Sequence, residues 1–271
     1  MIIDGKKLAE EIKAELKAEI FKLNKKIRLA AVEVGENPVT KKFLEQKKKF
    51  ASAVGIDVRI YDLPADITTN KLRAKLGEIM HIKENIGVIV QLPLPPQINA
   101  QYILDAIIPE KDPDMLSSKS IGLFSSGRSK ILPPVVGAID YIFKAYGVRP
   151  AEKRVAVIGA GRLVGKPVAA WLINQGAAVT VIDENTADPA LHTMDADIII
   201  SGAGKPKLIT AAMVKDGVVA IDCGTSEAAG KLVGDFDLAV ADKAALFSPV
   251  PGGVGPVTVA MLFRNLVELS K

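Results

Sequence analysis

The chain has 271 residues, of which 49% are hydrophobic, so it is long enough for two moderate domains with largely aliphatic cores. Its net charge of +4 is too small to indicate a nucleic-acid partner, and no apolar run reaches the roughly 18 residues of a membrane span. A single cysteine excludes an intrachain disulfide framework, and the N-terminal segment lacks the apolar region of a signal peptide. We therefore expect a soluble cytoplasmic protein.

Apolar residues recur with helical and strand periods along the chain. The first half is predicted to contain a helix over 6–24, a strand over 29–34, a helix over 38–54, a strand over 58–61, a helix over 69–82, a strand over 86–91, a helix over 99–107 and an irregular loop and linker over 109–134. The second half is predicted to contain a helix over 136–146, a strand–turn–helix–strand unit over 154–183, strands over 198–201 and 218–222, a loop over 249–256 and a helix over 257–269. This alternation is typical of parallel sheets with helices on their faces.

The segment 154–183 is the most informative, because it reads strand, glycine turn, helix, strand, acid. The glycines are Gly159, Gly161 and Gly165, and the acid is Asp183. Glycines let the backbone approach a pyrophosphate, the helix N-terminus attracts its charge, and the acid accepts from a ribose 2′-hydroxyl. The pattern predicts a nicotinamide-dinucleotide site. The glycine spacing is one residue longer than the usual fingerprint, and a strand-to-helix turn without a ligand is the alternative.

Phe43, Lys47 and Phe50 share one face of the predicted helix over 38–54, because they lie at i, i+4 and i+7. Burial between the two rings would disfavour the charged ammonium and suit Lys47 to acid–base chemistry. Alternatively its stem covers the rings while the ammonium reaches water, which the spacing alone favours. The first 50 residues carry a net charge of +5, which fits either a solvated helix surface or attraction of an anionic substrate.

Polar groups also follow the ends of apolar strands, beside proline or glycine. Gln91 ends one strand, Asp112 and Asp114 lie in the segment PEKDPD, and residues 249–256 read PVPGGVGP. Ligands of open α/β sheets bind at the carboxyl ends of strands, and glycines there let a flat ring approach the backbone. Each segment alone is compatible with an ordinary turn, but together they favour a binding site.

Several segments together resemble the bifunctional methylenetetrahydrofolate dehydrogenase/methenyltetrahydrofolate cyclohydrolase family over essentially the whole chain. They are MIIDGK at 1–6, VGENPVTKKFLEQKKK at 34–49, VQLPLP at 90–95, PEKDPD at 109–114, VGKP at 164–167 and PVPGGVGPVTVAML at 249–262. VQLPLP and the last segment are the most specific. The resemblance implies oxidation of 5,10-methylenetetrahydrofolate with a nicotinamide cofactor, and hydrolysis of the methenyl product to 10-formyltetrahydrofolate.

The resemblance also implies the architecture and the partners. It implies an α/β fold with a catalytic, folate-binding domain over 1–135 plus 256–271, a Rossmann-type dinucleotide-binding domain over 136–255, and a cleft between them. Homodimers, tetrahydrofolate substrates with or without polyglutamate tails, and the absence of a metal are expected. Lys47 aligns with the family's catalytic lysine, Gln91 with the glutamine that pairs with it, and Asp114 with the acid that holds the pterin ring. The expected substrate-binding residues are Phe43, Pro251, Gly252 and Gly253, and the expected cofactor-binding residues are Gly159, Ala160, Gly161, Arg162, Gly165, Asp183 and Thr225.

The chain departs from the family's pattern in several places. Phe43 replaces a tyrosine, Pro133-Pro134-Val135-Val136 replaces PCTP, Met115-Leu116 replaces Gly-Phe or Gly-Leu, and Gly159-Ala160-Gly161 replaces Gly-Arg-Ser. These changes leave open a dehydrogenase without the hydrolase activity, or a diverged homologue that binds folate or nucleotide with little turnover. An unrelated dehydrogenase of a small acid would explain the glycine turn but neither VQLPLP nor PVPGGVGP.

The cofactor turn predicts NAD in preference to NADP. The family's turn arginine is absent, and Asp183 stands where a carboxylate accepts from a 2′-hydroxyl and repels a 2′-phosphate. Arg162 could instead swing toward a 2′-phosphate, which keeps NADP as the alternative.

Overall fold

The computed structural model describes residues 1–35, 38–228 and 231–271. Its helices are α1 Gly5–Leu23, α2 Pro38–Val54, α3 Thr69–His81, α4 Ala100–Leu104, α5 Ser118–Ser125, α6 Pro134–Tyr146, α7 Gly165–Asn174, α8 Ala190–Thr193, α9 Val240–Lys243 and α10 Val254–Leu269. Its strands are β1 Arg28–Val34, β2 Asp57–Leu63, β3 Asn85–Val90, β4 Arg154–Ile158, β5 Ala178–Ile182, β6 Ile198–Ser201, β7 Val219–Asp222, β8 Ser226–Ala228, β9 Lys231–Val233 and β10 Leu246–Phe247. Within the described ranges, no helix has both the length and the hydropathy that crossing a bilayer would require.

The chain divides into two compact units. The three-stranded unit comprises Glu10–Pro134 and Val259–Lys271, and the five-stranded unit comprises Met1–Ala9 and Val135–Thr258.

The three-stranded unit is built on a parallel sheet in the order β2-β1-β3. The central strand β1 is buried along nearly its whole length, which explains the apolar run over 29–32 in its sequence. Alternate side chains of β1 and β3, such as Val32 and Val88, pack against Leu72, Leu76 and Ile79 of α3. The sheet therefore presents the carboxyl ends of β1 and β3 beside each other.

The five-stranded unit has a parallel sheet in the order β10-β7-β6-β4-β5. Strand β4 pairs with β5 on one side and with β6 on the other. The strand order therefore reverses at β4, because β5 is added on one side of it and the later strands are added on the other. In open α/β sheets such a switch point opens a crevice at the carboxyl ends of the strands. Strands β8 and β9 form a separate antiparallel pair.

The N-terminal residues join the edge of this second sheet. The Ile3 N–H donates to the Phe247 carbonyl at 2.8 Å, and the Phe247 N–H donates to the Met1 carbonyl at 2.9 Å. These backbone bonds group residues 1–9 with the five-stranded unit.

The main predicted helices and strands are confirmed, with shifts of a few residues at their ends. Two predictions were wrong in part. The helix expected over 99–107 ends at Leu104, and the segment 109–134, expected to be irregular, contains α5. The Ser117 hydroxyl caps α5 by accepting from the Ser120 N–H, and Phe124 is buried. The helix was not predicted because it is rich in serine and packs through few apolar residues, so its sequence has no helical apolar period. The short elements α8, β8, β9 and α9 were not predicted.

Candidate active site and dinucleotide site

Lys47 and Gln91 meet in the three-stranded unit. Gln91 directly follows β3, and its backbone N–H donates to the Val32 carbonyl at 2.9 Å, which extends the pairing with β1. Its Nε2 donates to the Leu92 carbonyl at 3.2 Å, and its Oε1 accepts from Lys47 Nζ at 3.1 Å. Both side chains are half-buried. A neutral amide thus fixes the ammonium in one position without placing an anion beside it.

The two phenylalanines that share the helix face with Lys47 have different surroundings. Phe50 is buried and stacks on Phe263, with ring centroids 5.4 Å apart and an interplanar angle of 13°. Phe43, one turn before Lys47, is exposed. Phe50 therefore anchors α2 in the core, and Phe43 leaves an aromatic surface for a ligand.

Asp114 is electrostatically coupled to Lys47. Burial raises the pKa of the Asp114 carboxyl, the Lys47 ammonium lowers it, and the Asp112 carboxyl raises it. The structure therefore brings Lys47, Gln91 and Asp114 into one group. A carboxyl in this position can accept from two adjacent N–H groups of a planar ring.

Lys111 anchors the segment that carries Asp114. Its Nζ donates to the Met80 and Asn85 carbonyls, both at 2.8 Å, and burial lowers its pKa. The lysine of PEKDPD therefore binds the C-terminal end of α3 rather than a ligand.

Two further side chains hold the same segment, and sequence reasoning gave neither of them this role. Asp112 is fully buried and accepts from the Ser117 N–H at 3.0 Å. Asn265 of α10 donates through Nδ2 to the Pro113 carbonyl at 2.9 Å and to the Leu132 carbonyl at 2.7 Å. The backbone on the N-terminal side of Asp114 is therefore fixed by a buried amide.

The glycine turn after β4 has the shape of a phosphate-binding loop. Gly159 has a φ of +95°, and a Cβ on Gly165 would lie 1.7 Å from the Gly159 carbonyl oxygen. Both positions therefore require glycine, whereas no described atom lies within 4 Å of a Cβ at Gly161. Helix α7 begins at Gly165, and no side chain of the described residues caps it. The positive end of its dipole is open to an anion.

The other predicted cofactor residues lie along the same edge of the sheet. Ala160 and the exposed Arg162 belong to the glycine turn, and Asp183 follows the neighbouring strand β5. Asp183 Oδ1 accepts from the Asn185 N–H at 3.0 Å and from the Thr186 hydroxyl at 3.2 Å, and these bonds lower its pKa. Thr225 is exposed and follows β7, two strands from β4.

The segment PVPGGVGP, predicted as a loop over 249–256, forms a loop only up to Gly253, because α10 begins at Val254. Gly252 has a φ of +103°, and its carbonyl accepts from the Gly5 N–H at 2.9 Å. A Cβ on Gly253 would lie 2.3 Å from Ser248 Oγ. Pro251 is exposed and Gly252 is half-buried, so Gly252 leaves backbone without a side chain at this surface, whereas Gly253 is buried.

Family models match both halves of the chain. Residues 3–114 match the tetrahydrofolate dehydrogenase/cyclohydrolase catalytic domain, and residues 133–271 match the NAD(P)-binding domain of the same family. The chain belongs to the tetrahydrofolate dehydrogenase/cyclohydrolase family. This confirms the resemblance and the two-domain α/β fold that the sequence predicted.

Relatives of the family match along their full length. The bifunctional protein FolD of Sulfurihydrogenibium sp. is 41% identical, over 100% of this chain and 98% of that protein. The crystal structure of the bifunctional enzyme FolD from Campylobacter jejuni has a TM-score of 0.97 and 37% identity, covering 100% of this chain and 98% of that one. The Trypanosoma brucei FolD structure, a complex with NADP and an inhibitor, has a TM-score of 0.94 and 34% identity, covering 99% and 96%.

In the NAD(P)-binding domain of this family member, two buried carboxylates were missed by sequence reasoning. Asp222 ends β7 and Asp235 follows β9, and both are shielded from solvent. Burial raises the pKa of Asp222 to about 6, although the N–H groups of Phe236, Asp235 and Gly224 act in the opposite direction. The only sequence signal was the acid at the end of the apolar run AID.

Proposed function

We propose that this chain oxidises 5,10-methylenetetrahydrofolate to the methenyl derivative with a nicotinamide cofactor, and hydrolyses that product to 10-formyltetrahydrofolate. The observation that carries the proposal is the 3.1 Å contact between Lys47 Nζ and Gln91 Oε1, with Asp114 coupled to the same ammonium. Family membership and full-length similarity to bifunctional relatives support both activities.

Lys47 is the proposed acid–base group of the hydrolysis. Water adds to the methenyl carbon, one carbon–nitrogen bond breaks, and a proton is released; an amine held at a fixed position can carry that proton. Gln91 orients the amine. Asp114 accepts from the amino and N–H edge of the pterin, and Phe43 stacks on a ring of the substrate.

The five-stranded unit carries the proposed dinucleotide site. A bound nicotinamide dinucleotide supplies the acceptor for the substrate's hydride. The turn between Gly159 and Gly165 fits a pyrophosphate, because these two glycines have no room for a Cβ and α7 begins at Gly165. Ala160, Gly161, Arg162 and Thr225 complete the proposed contacts, and Pro251, Gly252 and Gly253 are the proposed backbone wall for the folate.

The proposed cofactor is NAD in preference to NADP. Local hydrogen bonds lower the pKa of the exposed Asp183 carboxyl, so it is anionic at neutral pH and repels a 2′-phosphate. Arg162 is the exposed cation that would favour NADP instead. The ratio of kcat/KM values for the two cofactors tests the preference, and a ratio in favour of NADP would refute it.

Two further proposals concern assembly and substrate length. A homodimer through the five-stranded unit is supported by the exposed apolar side chains of Ile173 in α7 and Val181 in the edge strand β5. Light scattering measures this directly. Attraction of a polyglutamate tail is supported by the exposed Lys48 and Lys49 of α2, and predicts a KM that falls with tail length and rises with salt.

A spectrophotometric assay of the wild type and of Lys47→Ala tests the main proposal. With methylenetetrahydrofolate and NAD or NADP, the wild type should form reduced nicotinamide. It should also consume methenyltetrahydrofolate, and Lys47→Ala should lose this second activity. Hydride transfer without hydrolysis in the wild type would leave a dehydrogenase only, and a folded protein inactive in both assays would be a binding homologue.

A further inference from the structure

The loop over 202–205, which follows β6, is held by one buried carboxylate. Asp235 Oδ2 accepts from the Ser201 hydroxyl at 2.7 Å, from the Ala203 N–H at 2.8 Å and from the Gly204 N–H at 3.3 Å. Its other oxygen, Oδ1, accepts from the Lys205 N–H at 2.9 Å. Both carboxylate oxygens of Asp235 accept hydrogen bonds, so a side chain at position 235 must offer two acceptor atoms to satisfy these donors.

A second buried carboxylate holds the first. Asp222 Oδ1 accepts from the Asp235 N–H at 3.1 Å and from the Gly224 N–H at 2.9 Å, and its Oδ2 accepts from the Phe236 N–H at 3.1 Å. The Ser226 hydroxyl then donates to the Gly204 carbonyl at 2.9 Å. Hydrogen bonds therefore connect the loop that follows β6 to the loop that follows β7.

The packing around these carboxylates leaves no room for a side chain at Gly224 or Gly234. A Cβ on Gly224 would lie 2.2 Å from Asp235 Oδ1, and a Cβ on Gly234 would lie 2.0 Å from Asp222 Oδ2. The backbone of both segments therefore approaches the carboxylates directly.

The loop over 202–205 in turn borders the glycine turn. A Cβ on Gly159 would lie 2.8 Å from the Gly202 carbonyl oxygen, and a Cβ on Gly202 would lie 2.4 Å from the Val164 side chain. The Gly202 N–H donates to the Ile158 carbonyl at 2.8 Å. Since β4 and β6 flank the switch point, this loop is one wall of the crevice in which a dinucleotide would lie.

We propose that Asp222 and Asp235 are positioning residues for the nicotinamide dinucleotide: they hold the loop over 202–205 against the Gly159 turn and so set the affinity for the cofactor without touching it. This inference rests on the proposed function, because it deepens the role of the same site. An asparagine in place of either aspartate replaces one acceptor oxygen with an NH2 group, which faces the N–H donors instead of accepting from them. The loop over 202–205 is then displaced and the crevice changes shape. The contacts of Lys47 in the other unit are unaffected.

The test compares Asp235→Asn with Asp237→Asn. The second variant makes the same change two positions away, on a half-exposed residue. NAD and NADP affinity is measured by calorimetry, cofactor KM and kcat by the dehydrogenase assay, and hydrolysis of methenyltetrahydrofolate serves as an internal reference that uses no nicotinamide. For Asp235→Asn we expect dinucleotide Kd and KM to rise by about tenfold or more, with hydrolysis retained. Asp237→Asn should match the wild type.

Two outcomes would overturn the inference: an unchanged cofactor Kd in folded Asp235→Asn, or a proportional loss of both activities, which indicates a structural role alone. If Asp235→Asn does not fold, Ser201→Ala and Ser226→Ala carry the test, because each removes a single hydroxyl from the same network. In those variants a cofactor KM that stays at the wild-type value refutes the inference. Absence of dinucleotide binding in the wild type would instead refute the proposed function.

Discussion

The Nζ atom of Lys47 and the Oε1 atom of Gln91 lie 3.1 Å apart, although the residues are 44 positions apart in the sequence. The contact exists because β3 ends at Val90, so that Gln91 emerges at the carboxyl edge of the sheet beside α2. A neutral acceptor at this place orients the amine and adds no negative charge.

Gln91→Glu tests the importance of that neutrality. A carboxylate at position 91 would form an ion pair with the Lys47 ammonium, which opposes transfer of its proton during acid–base catalysis. We expect the rate of methenyltetrahydrofolate hydrolysis at pH 7 to fall by about tenfold or more. The matched control is Gln97→Glu, which makes the same change on an exposed glutamine. Equal rates in the two variants would contradict the assignment.

Asp183→Asn should change cofactor preference. The substitution keeps an acceptor oxygen for the local turn but removes the charge that opposes a 2′-phosphate. We expect the ratio of kcat/KM for NADP to that for NAD to rise by about tenfold, in steady-state assays with each cofactor. Glu184→Gln removes a neighbouring exposed charge and should leave the ratio unchanged. A ratio that does not move would assign the preference to another residue.

Gly165→Ala and Gly161→Ala form a matched pair in one turn. The added methyl at Gly165 would overlap the Gly159 carbonyl oxygen at 1.7 Å, whereas the methyl at Gly161 meets no described atom within 4 Å. We expect Gly165→Ala to lose measurable dinucleotide binding and Gly161→Ala to retain it. Calorimetric titration with NAD distinguishes the two, and equal affinities would show that this turn does not hold the cofactor.

Asp222 makes stability depend on pH. Its pKa is raised from 3.8 to about 6 by burial, so the folded state binds a proton more tightly than the unfolded chain. This contribution, about 3 kcal/mol, is fully present below pH 4 and is lost as pH rises through about 6. The unfolding free energy of the wild type minus that of Asp222→Asn, from urea titrations at pH 3 to 7, should therefore fall by this amount as pH rises. A constant difference would exclude the raised pKa.

Asn265→Leu removes the amide that holds the segment before Asp114. The change leaves the Pro113 and Leu132 carbonyls without their donor in a buried region. We expect a loss of about 2–4 kcal/mol of unfolding free energy in urea, together with a higher folate KM as Asp114 becomes less fixed. Asn70→Leu, on the exposed face of α3, is the control. Stability equal to that of the control would show that water replaces the amide.

The fold was predictable where apolar periods are long. The apolar run over 29–32 in β1 and the helical spacing of α1 and α10 identify their elements without tertiary information. Helix α5 was missed because its stability comes from the Ser117 cap and from the burial of Ser120 and Phe124, which give no apolar period. Short elements such as α8 depend on the surrounding packing and have no local signal.

The candidate site was predictable where the residue type itself indicates the role, as glycine does in a tight turn. The glycines of the turn and the pair Lys47 and Gln91 stand out by type and position, and the structure brings the pair together. Asp222, Asp235 and Asn265 were missed, because an acid or amide that binds backbone groups from inside resembles a surface residue in the sequence. Only the fold shows which carbonyls and N–H groups lack another partner.

The backbone bonds of Ile3 and Gly5 to Phe247 and Gly252 mean that the nucleotide-binding half is not one continuous stretch of polypeptide. An excised fragment that starts at position 135 would lack residues 1–9, which pair with β10 and donate a hydrogen bond to the Gly252 carbonyl. A separately expressed version of this half would need residues 1–9 as well, for instance joined by a linker after residue 258. Transplantation of the cofactor half between relatives therefore requires three crossover points in the gene, after residues 9, 134 and 258.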